Sequence, residues 1–267
     1  MADFSPKLEA YKKQVFDDGR ISHHLIPTIA KMILFSFLAV ATALIAGILS
    51  SPAPAPAKLL ERQGYYWSAW QEGSGNYNCK NGNGGSYSVT WQGKTGGFVC
   101  GKGWSPGGSR YEILLLSGRH IPLLIGISNR TVKYTGTYTA TGPGYLALYG
   151  WTQSPLIEYY IVDSYGTLEP GEPWTSKGNF TFEEGSYELF QSTRVNKPSI
   201  EGSRTFQQYW SVRTEKRVGG TITTQKHFDA WSKAGMKLGR HSYMILATEG
   251  YTNGSHTSSG TSSITVS

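Results

Sequence analysis

Charge is scarce in this chain. Asp, Glu, Lys and Arg make up 16% of its 267 residues, against about a quarter in ordinary globular domains. The formal net charge is +7. The basic residues are scattered, however, with no Lys/Arg block and no recognisable nucleic-acid module, so no nucleic-acid partner is expected. Cysteine is nearly absent. Cys79 and Cys100 sit in no C-x-x-C pair and beside no histidine cluster, which argues against a metal centre. Two cysteines leave open either one disulfide or two buried thiols. There is no phosphate loop, which removes one common catalytic framework. None of the six histidines forms a ligand-like pair, and no internal repeat is evident. Helical periodicity is also rare. Within 63–267 only Thr224–Met236 carries it, with Phe228 and Trp231 three apart on one face. Thr223 or Thr224 is expected to cap its start, and Gly235 or Gly239 to end it.

Aromatics and glycine fill the space left. Residues 63–267 hold all 8 Trp and 16 of the 17 Tyr, with most of the 33 Gly. Between turn signals such as NGNGG, PGG and GPG run alternating stretches: Ser86–Trp91, Tyr145–Trp151, Glu158–Gly166, Phe206–Arg213 and Tyr243–Tyr251. Period-two alternation at this spacing predicts an antiparallel sandwich or barrel. Two of these strands carry a carboxylate where an aromatic or aliphatic residue would be ordinary. Glu158 alternates with Tyr160 and Val162, and Glu249 stands before Gly250 and Tyr251. A carboxylate on an apolar strand face is costly unless it meets a partner or water. Either one alone reads as a strand-edge Glu in solvent. Two together, among aromatic rings able to hold flat sugar rings, point to the paired acid and nucleophile of a glycosidase.

The first 62 residues differ in texture. Ile33–Leu49 is an apolar run of 17 residues, preceded by Lys31 and Met32 and followed by SSPAPAPA. This order is that of a secretory signal peptide, with a membrane anchor as the rival because 17 residues is the lower limit for a span. Met32 is expected to be the true initiator. The signal peptide would cover about 32–57, and a short propeptide would end at Arg62, leaving Gln63 as the mature N-terminus. The expected product is extracellular, with no stable membrane partner. Asn179 and Asn253 begin N-x-S/T sequons, candidate glycosylation points in a secreted chain.

From about Tyr65 to Val266 the sequence resembles the family 11 glycoside hydrolases, the fungal and bacterial jelly-roll xylanases. The blocks that carry the resemblance are GGSYSVTW, GKGW, YLALYGW, SPLIEYYIVDSYGT, PSIEG, QYWSVR, HFDAW and ATEGY, in that order. The resemblance implies an all-β fold, a β-jelly roll of two curved antiparallel sheets with one packed α-helix. It implies a retaining endo-1,4-β-xylanase, with Glu158 as nucleophile and Glu249 as proton donor and acid/base. Substrate-binding positions implied by matching motifs are Trp70, Tyr66, Tyr149, Tyr160, Arg194, Gln208, Tyr251 and Pro198, the last within a thumb loop at Val195–Gly202. The implied partner is xylan, the implied state a monomer, and no cofactor or metal is implied. A jelly-roll endoglucanase and a non-catalytic carbohydrate-binding protein are the alternatives. The PSIEG and YYIVDSYG blocks argue against the first, and the presence of both Glu158 and Glu249 argues against the second.

Two departures from the family pattern stand out. Gly97, in KTGGFVCGKGW, occupies the place where the family usually has Asn or Asp beside the acid/base, which leaves the pH optimum open. The family pattern would also pass from Arg110 directly to Thr131. Here Tyr111–Arg130, YEILLLSGRHIPLLIGISNR, intervenes, rich in Leu and Ile. An apolar surface loop of this kind is a hazard. The favoured expectation is an unspliced in-frame intron: removing these twenty codons restores SPGGSRTVKYTG with one arginine. A family-specific insertion is the rival.

Overall fold

The computed structural model describes residues 64–267, apart from 94, 107–111, 117–118, 124–129, 169–172 and 253–255. The expected leader and propeptide, and the Asn253 sequon, lie outside the described residues.

The expected all-β layout is present. Eight strands form the larger sheet, in the order β1 (Tyr66–Glu72), β4 (Gly96–Trp104), β14 (Arg240–Thr252), β8 (Gly144–Gln153), β9 (Ile157–Tyr165), β12 (Arg204–Arg213), β11 (Gly185–Lys197) and β10 (Thr175–Phe182). Every pair is antiparallel except β9 with β12, which run parallel. The smaller sheet is β13 (Gly220–Thr223), β7 (Thr131–Thr141), β15 (Ser258–Val266), β3 (Ser86–Gly93) and β2 (Asn76–Asn81). One helix, α1, spans Thr224–Lys233.

Alternation along the central strands sorts side chains to two faces. Leu146, Leu148, Tyr159, Ile161, Met244 and Leu246 pack with Val132, Tyr134 and Ile264 of the smaller sheet and with Phe228 and Trp231 of α1. That is the core, and it fixes the register, because a one-residue slip would turn each of these side chains to the wrong face. The opposite face of the larger sheet carries a second apolar cluster that includes Tyr145, Tyr149, Trp151, Tyr160, Phe206 and Trp210. Glu158 and Glu249 belong to this face by parity.

The cysteines settle the open alternative. Cys79 in β2 and Cys100 in β4 form a disulfide that ties the two sheets together. The helix confirms its expected buried face and corrects its expected cap. Thr223 occupies the N-cap position with no side-chain cap hydrogen bond. Its hydroxyl instead donates to Glu184 Oε1, and its backbone N–H donates to Glu184 Oε2 at 3.1 Å. This charge-assisted bond to Glu184 fixes the Thr223 side chain in an orientation that does not cap the helix. Gly235, with φ +79°, follows Ala234 and ends the helix in the left-handed region.

The atypical 111–130 segment contributes a hairpin of its own, β5 (Glu112–Leu116) with β6 (Arg119–Leu123), which among the described residues pairs with neither main sheet. At its C-terminal end the Arg130 guanidinium lies over the Trp104 ring of β4, 4.3 Å from the centroid.

Candidate active site

The open face of the larger sheet is built as rows of side chains running across strands. One row reads Trp151 (β8), Glu158 (β9), Gln208 (β12) and Ser192 (β11), each opposite the next in register. The following row is Tyr149, Tyr160, Trp210 and Phe190. Tyr160 and Trp210 stack with centroids 3.9 Å apart and planes 3° from parallel. The surrounding aromatic bulk leaves Glu158 buried.

Burial alone would push the Glu158 carboxyl up, and it does; donors from three sides pull it back. Gln208 Nε2 donates to Oε2 at 2.6 Å, while the Tyr149 and Tyr160 hydroxyls donate to Oε1 at 2.8 and 3.1 Å. The Arg194 charge helps in the same direction. These donors are held in turn. Ser192 Oγ donates to Gln208 Oε1 at 2.9 Å, which turns the amide nitrogen toward Glu158. Trp151 Nε1 donates to the Tyr149 hydroxyl at 2.5 Å, so that the tyrosine's own proton is directed at the carboxylate. A carboxylate with this many aimed donors is stabilised as the anion.

Glu249 has the opposite surroundings. It lies on β14 opposite Val99 and Tyr145, and its Oε2 is buried with no hydrogen-bond partner among the described residues. Burial, and then the nearby Glu158 charge, push its carboxyl up to about 8; Tyr160 and Arg194 pull weakly the other way. The Tyr160 hydroxyl thus touches both acids and has one proton to give. With that proton directed at Glu158, Glu249 is the member of the pair biased toward its protonated form.

The other expected residues fall around this pair. Tyr251 shares a 2.8 Å hydrogen bond between hydroxyls with Tyr145. Trp70 is 45% exposed on β1 and sits in register with Val99, which is in turn opposite Glu249. Tyr66 lies at the same edge, its ring 5.4 Å from Tyr243, which is itself 6.0 Å from Tyr149. Arg194 is on β11 and acts on both carboxylates through its charge. Pro198 is exposed in the loop between β11 and β12. That loop is fastened to the end of β8, where Gln153 Nε2 donates to Glu201 Oε1 at 3.0 Å. Trp151, Ser192 and Trp210 were not singled out from the sequence. Alternation could place them on the right face, but only the strand pairing shows what they hold. At Gly97 a β-carbon would lie 2.9 Å from Tyr251 Cβ and 3.0 Å from the Gly250 carbonyl oxygen. Among the described residues no cluster of three or more His, Cys, Asp or Glu could hold a metal ion, and no helix is long and apolar enough to cross a membrane.

Known proteins align with this arrangement. A sequence profile described as glycosyl hydrolases family 11 matches residues 62–265. The chain is 44% identical over 252 residues to endo-1,4-beta-xylanase 11A of Botryotinia fuckeliana, covering 88% of this chain and 100% of that protein. It is 48% identical over 198 residues to endo-1,4-beta-xylanase 1 of Pyricularia grisea, covering 73% and 76%. A solved chain from a structural comparison of two major endo-1,4-beta-xylanases of Trichoderma reesei superposes with a TM-score of 0.62 at 33% identity, covering 76% of this chain and 97% of that one.

Proposed function

The chain belongs to the glycosyl hydrolases of family 11, and from that premise we propose that it is an endo-1,4-β-xylanase that cleaves internal xylosidic bonds with retention, using Glu158 as nucleophile and Glu249 as acid and then base. The observation that carries the assignment of roles is the contrast between the two acids. Glu158 accepts three hydrogen bonds and is favoured as the anion, while Glu249, with a bare buried oxygen, keeps a proton up to about 8.

The steps follow from that contrast. Glu158 attacks the anomeric carbon while the Glu249 proton goes to the leaving glycosidic oxygen, breaking the C–O bond and forming a glycosyl ester. Esterification removes the Glu158 charge, one of the two causes that hold the Glu249 carboxyl up. Glu249, now an anion of lower pKa, takes a proton from water as the water oxygen attacks the anomeric carbon and the bond from that carbon to Glu158 breaks. Sugar, free Glu158 and protonated Glu249 are restored. Trp70 and Tyr66, the exposed rings at the sheet's edge, would stack on sugar rings on one side of the scissile bond, and the loop carrying Pro198 would close over the other.

Residues 1–62 fit a leader removed on secretion, a reading supported by the family match starting at residue 62. The proposed mature enzyme is an extracellular monomer needing no cofactor. A 2-fluoro xylobioside inactivator tests the assignment: label recovered on the Glu158 peptide, with xylan and not carboxymethylcellulose releasing reducing sugar, is the expected result. Label on another residue, or undiminished hydrolysis by Glu158→Gln, would overturn it.

A further inference from the structure

On the face of the larger sheet turned away from the two glutamates, a groove of about 510 Å³ runs between edge strand β10 and helix α1. Its volume is in the range of small-molecule sites. The floor is apolar: Phe180 and Phe182, two apart on β10, both half-buried, present rings stacked 6° from parallel, and Ala230 faces them from the helix. Its rim is basic. Lys177 stands on the strand side, and Lys226 and Lys233 stand on the helix side. The helix lysines are seven residues apart with Ala230 between them, which places all three on one helical face and separates the lysines by about 10 Å along the axis. Among the described residues none of the three lysines is ion-paired. The single acid at the rim, Asp229, is engaged by Gln225 Nε2 at 2.6 Å.

The groove thus sets three lysine charges around a pair of aromatic rings, a lining complementary to a ligand with negative charge and a flat apolar face. Phenyl rings receive the C–H face of a sugar, and lysine ammonium groups receive a carboxylate as mobile point charges. We propose that this groove is a second, non-catalytic binding site for a carboxylate-bearing sugar chain, specifically xylan substituted with uronic acid. The choice of xylan as the carrier rests on the xylanase reading of the opposite face; the choice of a carboxylate rests on the groove. Such a site would hold the enzyme on acid-decorated polymer while the cleft works along the chain, and it would weaken as salt is raised.

The test uses the full chain with Glu158→Gln, so that ligand is not consumed, saturated first with neutral xylohexaose to fill the cleft. A uronic-acid-substituted xylo-oligosaccharide is then titrated while backbone amide signals are followed by NMR. Signals of Phe180, Ala230 and Lys233 are expected to move, with affinity reduced about tenfold by Lys226→Glu together with Lys233→Glu, the loss anticipated when two exposed charge pairs are reversed. The same two changes made with Glu158 intact should leave turnover of neutral xylo-oligosaccharides within about twofold, since neither lysine is on the catalytic face. Unmoved groove signals, equal response to neutral xylohexaose, or response to oligogalacturonate without response to the substituted xylan would each overturn the proposal. Failure of the wild-type chain to cut xylan would instead strike the enzymatic reading, so the two failures are separable.

Discussion

Replacing Glu158 by glutamine should lower the pKa of Glu249 by a predictable amount. In the wild type Glu249 keeps its proton to about 8 instead of its ordinary 4.5, which corresponds to about 5 kcal/mol against ionisation. Burial is the larger cause and the Glu158 charge the next, with Tyr160 and Arg194 opposing. A retaining pair stands about 5.5 Å apart. At that separation two unit charges in an effective dielectric of about 20 repel by about 3 kcal/mol, or about 2 pH units. Glutamine keeps the shape of Glu158 and removes only the charge. The Glu249 carboxyl in Glu158→Gln should therefore titrate about 2 pH units lower than in wild type, yet stay above 4.5 because the burial is unchanged. The assay is a ¹³C NMR titration of the glutamate carboxyl carbons in both proteins, beside the alkaline limb of the wild-type pH–rate profile. That limb should fall near 8, where the catalytic proton is lost. A Glu249 midpoint unchanged by the substitution would mean that the two side chains do not face one another, and the double-displacement reading would fail with it.

Other consequences are independent of that pair. Gly97→Asn would bring an amide donor toward the bare Glu249 Oε2 and favour its anion. The alkaline limb should move to lower pH, at some cost in melting temperature because the new β-carbon must displace Tyr251; an unmoved limb would refute the placement. His227 is fully buried among Phe180, Phe182 and Tyr187, and burial, then the charges of Arg217 and Arg213, hold it neutral down to about 3. Its folded value lies below its unfolded 6.5, so the stability it contributes is present above 6.5 and lost as pH falls toward 3. Wild type should lose about 3 kcal/mol relative to His227→Leu between pH 6.5 and 4, read from urea midpoints. The raised carboxyls of Glu158, Asp163 and Glu249 work in the opposite sense, losing stability as pH rises, but are common to both proteins and drop out of the difference. Deleting 111–130 should give a folded, active enzyme with an undiminished melting temperature. Arg130 stands over the Trp104 ring of β4, and with Arg110 joined to Thr131 that arginine would take its place. An unfolded product would show the segment to be integral.

What the sequence disclosed, and what it withheld, divides along the range of the interaction. Alternation is local, so the face of each strand was legible: Glu158, Tyr160 and Val162 share one side of β9, with Tyr159, Ile161 and Asp163 on the other. Pairing is not local. Gln208 reaches Glu158 across fifty residues, and Ser192 orients Gln208 across sixteen. Glu184 captures Thr223 from thirty-nine residues away and removes the cap that the local pattern promised. The disulfide stayed undecided for the same reason, since a separation of 21 residues says nothing of two sheets facing each other.

The same limit shows in the two acids of β9. Glu158 and Asp163 both interrupt an aromatic and aliphatic strand, and composition alone treats them alike. Their partners separate them. Asp163, on the core face, is neutralised by the Arg217 guanidinium at 2.9 Å and receives the Tyr134 hydroxyl at 2.8 Å. Its charge is spent on structure, and removing either member would strand the other. The three hydrogen bonds that Glu158 accepts come from neutral groups, on a face that no second sheet covers. Neutral donors hold an anion in place without cancelling it, and an uncancelled carboxylate beside a protonated one is the arrangement that covalent glycosyl transfer requires. The physical difference between a structural acid and a reactive one therefore lies in the donors that register delivers to each, and not in the strand that carries them both.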